Sequence, residues 1–158
     1  MRTIILGLGN PILGDDGIGC RVAQEVKNRL ADQAGQQVEV EPFYRGGLAL
    51  MERLTGYEKA IIVDSIQGLN GPPGTLHRLT LDHLPTPNNI DSPHDTSLRT
   101  ALETGRRLGA KLPKKIVIVG VEIAPPSDFS EELSPEVRGS IEPAVLAVLK
   151  EVINPAKG

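Results

Sequence analysis

Three aspartates and one histidine are the side chains of this sequence that are best placed to do chemistry. Asp15 and Asp16 lie in a glycine-rich loop after the first apolar run, and Asp64 ends the third. His94 begins a segment with helical spacing after a proline-rich stretch. Two carboxylates and one imidazole suit a borderline divalent ion, and such a set leaves coordination positions open for water or substrate. The residue types therefore predict a metal-assisted site formed by Asp16, Asp64 and His94.

Each of these residues also has an ordinary structural explanation. Asp15 or Asp16 could be the N-cap of the helix that follows. Asp64 could accept backbone N–H groups in a turn, as aspartate often does, and His94 could simply be a residue of a helix start. Spacing alone leaves the metal site and the capping roles open.

The stretch Gly7-Leu8-Gly9 resembles the start of a dinucleotide-binding loop, but its surroundings oppose that function. The dinucleotide motif needs a third glycine at position 12, where this chain has Ile12. A helix N-terminus attracts phosphate through its positive dipole, whereas Asp15 and Asp16 would repel it. A non-catalytic nucleotide- or metal-binding module therefore remains only an alternative.

The elements that must position these residues alternate between strands and helices. Short apolar or alternating runs predict five strands, in "RTIILGLG", "VEVEPF", "KAIIVDSI", "GTLHRLTL" and "KKIVIVGVEI", the fourth at an edge. Helical spacing predicts helices in "GIGCRVAQEVKNRLADQ", "GGLALMERLTG", residues 95–110 and "SPEVRGSIEPAVLAVLKEVI". This alternation is typical of an α/β three-layer sandwich, a twisted and mostly parallel sheet between helices. We expect one domain over residues 1–158.

Local signals refine the helices. Ser134 and Pro135 suit the N-cap and first position of the last helix, and Pro143 should kink or split it. Leu98, Leu102 and Leu108 should share the apolar face of the helix over residues 95–110. Residues 82–93 carry three prolines and are predicted to form an irregular loop.

Composition narrows the class of protein. A net charge of −3, a pI near 5.6 and 3% aromatic residues argue against nucleic-acid binding. The single Cys20 excludes an intramolecular disulfide and multi-cysteine metal sites, and we expect it to be a small buried apolar residue. No signal peptide precedes the first apolar run, which is too short to cross a bilayer. We therefore expect a soluble cytoplasmic protein without membrane insertion.

Other catalytic patterns are weak. The sequence contains neither a Gly-x-Ser-x-Gly elbow nor a His-Glu-x-x-His zinc motif. His77 and His83 are predicted to be surface residues of the edge strand and the loop after it.

Four segments in this order, "IILGLGNPILGDDGIGCRVAQ", "AIIVDSI", "DSPHDTSL" and "IVIVGVEI", resemble the hydrogenase maturation proteases. The resemblance covers nearly the whole chain and implies an α/β sandwich. It also implies an endopeptidase that removes the C-terminal extension of a nickel–iron hydrogenase large-subunit precursor after nickel insertion. In the family an acid of the first motif, an aspartate after the third strand and a histidine of the later loop bind the metal. These positions match Asp16, Asp64 and His94, and the nickel ion is expected to come with the substrate.

One position departs from the family pattern. Many members have Asp-Gly-Gly after the second strand, whereas this chain has Arg45-Gly46-Gly47. A guanidinium cannot bind a cation, but it can pair with a carboxylate of the substrate or of the site. Our hypothesis is that Arg45 marks a hydrogenase partner of a different group. Arg45 is also the one feature that favours a precursor-binding chaperone without protease activity.

Overall fold

Ten helices and strands are described in a computed structural model that covers residues 2–31, 37–44, 47–81, 93–125 and 129–153. The side chains of residues 47, 93–98 and 101 lie outside this description. In chain order the elements are β1 (Thr3–Leu8), α1 (Ile18–Leu30), β2 (Val38–Phe43), α2 (Gly47–Leu54), β3 (Lys59–Ile66), β4 (Leu76–Leu79), α3 (Pro93–Arg107), β5 (Lys115–Glu122), α4 (Pro135–Arg138) and α5 (Ile141–Ile153). A short 3-10 helix, Gly14–Gly17, precedes α1.

The five strands form one sheet in the order β2-β1-β3-β5-β4. Strands β2, β1, β3 and β5 are parallel, and β4 pairs with β5 in the antiparallel sense at the edge. The link from β3 to β4 contains the turn-forming Asn70-Gly71-Pro72-Pro73-Gly74 and has no crossover helix, which a parallel connection would need. The predicted mostly parallel sheet of about five strands, with the fourth at an edge, is confirmed.

Helices cover both faces of the sheet. On one face the core joins α1, α4 and α5 to β1, β3 and β5, with Val22, Val137 and Val145 fully buried. On the other face α2 and α3 pack through Leu50 and Leu102. Strands β1 and β3 are buried along their whole length because they are covered on both sides. The predicted three-layer α/β sandwich is confirmed.

The helix predicted over residues 95–110 is shifted toward the N-terminus. Helix α3 begins at Pro93, and Leu102 packs in the core as predicted. The prediction for Leu108 is wrong, since this side chain is 70% exposed. The helix ends at Arg107, and Gly109 with a φ of 77° turns the chain away. Within the described ranges, no helix combines the length and the apolar character that crossing a bilayer requires.

The last predicted helix is split, as Pro143 suggested. Ser134 is the N-cap and Pro135 the first residue of α4, which confirms both predictions. The break falls at Gly139 and Ser140, and Pro143 lies in the first turn of α5. A proline is tolerated there because the N–H groups of a first turn have no partner within the helix.

The close approach of α1 to the sheet depends on two glycines, Gly7 in β1 and Gly19 in the first turn of α1. An added Cβ on Gly7 would lie 2.0 Å from the carbonyl oxygen of Gly19. A Cβ on Gly19 would lie 2.2 Å from the oxygen of Leu8 and 2.5 Å from that of Val63. The first turn of α1 therefore rests directly on the backbones of β1 and β3. This packing explains why glycine stands at both positions, and phosphate binding is not needed to explain it.

We predict that Gly19→Ala lowers the free energy of unfolding by the upper part of the roughly 1–3 kcal/mol typical of overpacking. Its methyl group would meet backbone atoms, which cannot move aside as a side-chain end can. Gly139→Ala is the matched control, because Gly139 has a φ of −63° and no neighbour closer than 3.5 Å to an added Cβ. Urea unfolding should show a loss for Gly19→Ala only, and equal effects of the two substitutions would contradict this account.

Candidate active site

The candidate site lies at the edge of the sheet where the parallel strands end. The loop after β1 carries Asp16, and Asp64 lies near the end of β3, which pairs with β1 in parallel. Ligands of open α/β sheets bind at this carboxyl edge. The topology therefore brings the two predicted acids to the same edge.

Asp16 is a buried carboxylate that is held at both oxygens. Its side chain belongs to the 3-10 helix before α1, and the residue is 6% exposed. One oxygen (Oδ2) accepts the backbone N–H of Asn10 at 2.9 Å. The other (Oδ1) accepts the hydroxyl of Ser65 at 2.7 Å. Both bonds fix the orientation of the carboxylate, as outer hydrogen bonds do for metal ligands.

Ser65 joins the two acids. The backbone N–H of Ser65 donates to Asp64 Oδ1 at 2.8 Å, while its hydroxyl donates to Asp16. Asp64 is 1% exposed. It lies on the same face of β3 as Ala60 and Ile62, because alternate residues of a strand share a face, and this face is the one covered by α2 and α3. Sequence reasoning gave Ser65 no role, although it follows Asp64 directly in the "VDS" segment. The contact with Asp16 spans 49 residues and has no local signature.

Cys20 is close enough to Asp16 and Asp64 for their charges to act on its thiol. Its thiol is 3.6 Å from the carbonyl oxygen of Gly7 and 3.5 Å from that of Gly9, and the residue is buried as predicted. Burial, and then the negative charges of Asp16 and Asp64, raise the pKa of Cys20 to about 11. At neutral pH the residue is therefore a thiol, which is a poor nucleophile.

Asp15 has a different role from its neighbour. Its carboxylate accepts the backbone N–H of Ser134 at 2.7 Å and the hydroxyl of Ser134 at 2.8 Å. The N-cap of α1 is Gly17, without a side-chain hydrogen bond, so the prediction that Asp15 or Asp16 caps this helix is wrong. Both acids lie within the 3-10 turn, one and two residues before the N-cap position. Asp15 instead ties the loop to the start of α4.

Of the three histidines, only His77 has a side chain within the described part of the structure. The backbone of His94 lies in the first turn of α3, a helix that packs on the same sheet face as Asp64. Its side chain is outside the described part, so its role as a ligand stays a prediction. His77 on β4 is more buried than predicted, with its side chain 21% exposed and Nε2 3.3 Å from Glu122 Oε1. His83 and Arg45 lie outside the described residues, and the hypothesis about Arg45 stays a prediction.

The donor set can be compared with the predicted metal chemistry. Asp16 and Asp64 supply two oriented carboxylates, and imidazole of His94 would complete the oxygen and nitrogen set that borderline ions accept. Among the described side chains, which do not include that of His94, no group of three or more histidines, cysteines or acids is arranged to hold a metal ion. The described pair therefore fits the oxygen half of the predicted set.

Comparison with known proteins identifies the family. The model of a family described as hydrogenase maturation protease matches residues 20–151. The hydrogenase 2 maturation protease of Escherichia coli is 34% identical over 155 residues, covering 96% of this chain and 92% of that protein. The fold and the sequence similarity together define an α/β protein of a protease class. It belongs to the hydrogenase maturation protease family.

Solved structures agree with this assignment. The hydrogenase-maturating endopeptidase HybD of E. coli has a TM-score of 0.79 and 30% identity, covering 96% of this chain and 92% of that one. A hydrogenase 2 maturation peptidase of Thaumarchaeota archaeon SCGC_AB-539-E09 has a TM-score of 0.66 and 27% identity, covering 99% and 100%. The resemblance found in the sequence is confirmed, and the protein is a protease by family.

We predict that Asp15→Ala lowers the free energy of unfolding by about 2 kcal/mol, because two hydrogen bonds to a charged group are lost. One of them leaves the N–H of Ser134 without its acceptor. Thermal or urea unfolding measures the change, with exposed Glu131→Ala as the control. A stability equal to that of the wild type would contradict the role of Asp15 in tying the loop to α4.

We also predict that the thiol of Cys20 ionises with a pKa of about 11, compared with the ordinary value of 9.0. Thiolate absorbance, taken as the difference from Cys20→Ser, measures it, and Asp16→Asn should lower this pKa by removing a nearby charge. The folded-state pKa is the higher one, so the stabilisation from the buried thiol is complete below pH 9.0 and is lost as the pH rises to about 11. Unchanged ionisation in Asp16→Asn would contradict the proximity of the thiol and the acid.

Proposed function

We propose that this chain is an endopeptidase that removes the C-terminal extension of a nickel–iron hydrogenase large-subunit precursor once nickel has been inserted. Family membership supports a protease of hydrogenase maturation. The observation that carries the assignment of the site is the pair of buried carboxylates, Asp16 and Asp64, connected through Ser65 at the carboxyl edge. The single cysteine supports a cytoplasmic location.

In this proposal Asp16, Asp64 and His94 contact the nickel ion that the substrate carries. The ion is part of the substrate, so the protease acts only on a loaded precursor. Such an ion supplies Lewis acidity, which polarises a scissile carbonyl or acidifies a water molecule. The two aspartates and the histidine orient the loaded end of the precursor so that the scissile peptide lies at the carboxyl edge.

The arrangement of the acids supports a positioning role. Both oxygens of Asp16 are held by groups from different segments, the loop and β3. Asp64 is fixed by the rigid backbone of a central strand. A ligand set on rigid elements holds the reacting groups in place more closely than one on a mobile loop.

The test is the intact mass of large-subunit precursors incubated with the protein, with and without nickel. The panel begins with the precursor of E. coli hydrogenase 2, because the maturation protease of that hydrogenase is 34% identical to this chain. We expect loss of a defined C-terminal peptide from nickel-loaded precursor only. Equal cleavage of nickel-free precursor would contradict the proposal that the protease acts only on nickel-loaded precursor. Binding without cleavage would favour the chaperone alternative.

Substitutions test the site itself. Asp16→Asn, Asp64→Asn and His94→Ala should each lower turnover by at least about a hundredfold, since each removes a group that contacts the ion. Asp15→Asn and His77→Ala are matched controls that should keep turnover, because these residues contact Ser134 and Glu122 instead. Thermal unfolding is measured for every variant. A large loss of stability in Asp16→Asn or Asp64→Asn, with turnover retained in the folded fraction, would show that the acids have a structural role only.

A further inference from the structure

The large apolar side chains exposed in the described residues are unevenly placed. Four lie in the segments that follow the carboxyl ends of β1, β2 and β5, namely Ile12, Tyr44, Leu48 and Phe129. The other three lie on the outer surface of α5 or at the ends of α3 and α5, namely Leu108, Leu146 and Ile153. Four of these seven side chains of the described residues therefore lie in segments that leave the edge on which the candidate active site lies.

Ile12 and Phe129 form a pair that is fixed by backbone hydrogen bonds. Leu13 and Ser130 are partners in a parallel bridge, and that register places Ile12 and Phe129 next to each other. The N–H of Ser130 donates to the oxygen of Ile12 at 2.8 Å, and the N–H of Gly14 donates to that of Ser130 at 2.7 Å. The two side chains are 47% and 81% exposed, so neither is part of the core.

The same loop connects this pair to Asp16. The N–H of Asn10 donates to Asp16, and the side-chain oxygen of Asn10 accepts the N–H of Ile12 at 3.1 Å. Asp16 and Asp64 are both buried, whereas Ile12, on the same loop as Asp16, is exposed. A protein substrate must therefore contact the residues around the acids before its peptide bond is cleaved.

We propose that Ile12 and Phe129 form a docking surface for an apolar segment of the hydrogenase large-subunit precursor next to the cleaved bond. This inference rests on the proposed function and names where its substrate binds. Aromatic side chains, phenylalanine among them, are enriched in protein interfaces compared with the rest of the surface. Exposed Glu131 and Glu132 follow the pair directly, and their charge disfavours an anionic membrane as the occupant.

Steady-state kinetics on nickel-loaded precursor tests the surface. Ile12→Ser and Phe129→Ser should each raise KM by at least about tenfold, as loss of an apolar anchor does, while kcat stays within about twofold. Leu146→Ser is the control, because Leu146 is 54% exposed on α5 and should leave KM unchanged. Unchanged KM in both variants, or an equal rise in the control, would overturn the proposal. Phe129→Ser keeps the test valid if Ile12→Ser disturbs Asp16.

Binding separates this inference from the proposed function. Precursor affinity is measured for the wild type and the two serine variants, together with cleavage. Cleavage by the wild type with unchanged affinity of both variants overturns the docking surface alone. Binding that is lost in both variants, without cleavage by the wild type, supports the surface and overturns the protease assignment. Absence of binding to every loaded precursor, with self-association abolished by Phe129→Ser, would show that the pair joins two copies of this chain and would overturn the proposal.

Discussion

The contact between the first turn of α1 and the backbones of β1 and β3 is the constraint on which the site depends. Gly19 leaves no room for a side chain against the carbonyl oxygens of Leu8 and Val63. The helix therefore begins directly above two neighbouring strands. Asp16, three residues earlier, comes within hydrogen-bond distance of Ser65 in β3. With a larger residue at position 19 the helix would move away from the sheet, and this bond would lengthen or break.

The loop between β1 and α1 is then held from two further sides. Asp15 binds Ser134 at the start of α4, and the bridge between Leu13 and Ser130 fixes the middle of the loop. Adjacent aspartates thus perform separate tasks, since one ties the loop to a distant helix and the other faces the edge. A loop with such ties behaves as part of the rigid scaffold, although it contains no long element.

The sequence predicted the features that depend on local pattern. Unbroken apolar runs identified the buried strands β1, β3 and β5, and Ser134 with Pro135 located the start of α4. The errors and omissions arose where tertiary contacts determine the end of a helix or the hydrogen-bond partner of a side chain. Leu108 matches the helical period, but the helix ends one residue earlier. Ser65 joins groups 49 residues apart, and Asp15 joins groups 119 apart, so neighbouring residues give no sign of either contact. The placement of Asp16 and Asp64 at one edge could be predicted because parallel strands end together.

The protonation of the Cys20 thiol determines which kinds of ligand atom the site can offer. A thiolate beside Asp16 and Asp64 would be a soft ligand able to take nickel from the precursor. Burial and the two carboxylates instead keep Cys20 protonated up to a pKa of about 11. Under the proposed function the site therefore meets the ion with oxygen and imidazole ligands, which hold a borderline ion less strongly than a thiolate does, so the protease contacts nickel without a soft ligand that would retain it. In the metal-free protein, burial first and the charges of Asp16 and Asp64 second keep the one cysteine of the chain from being such a ligand.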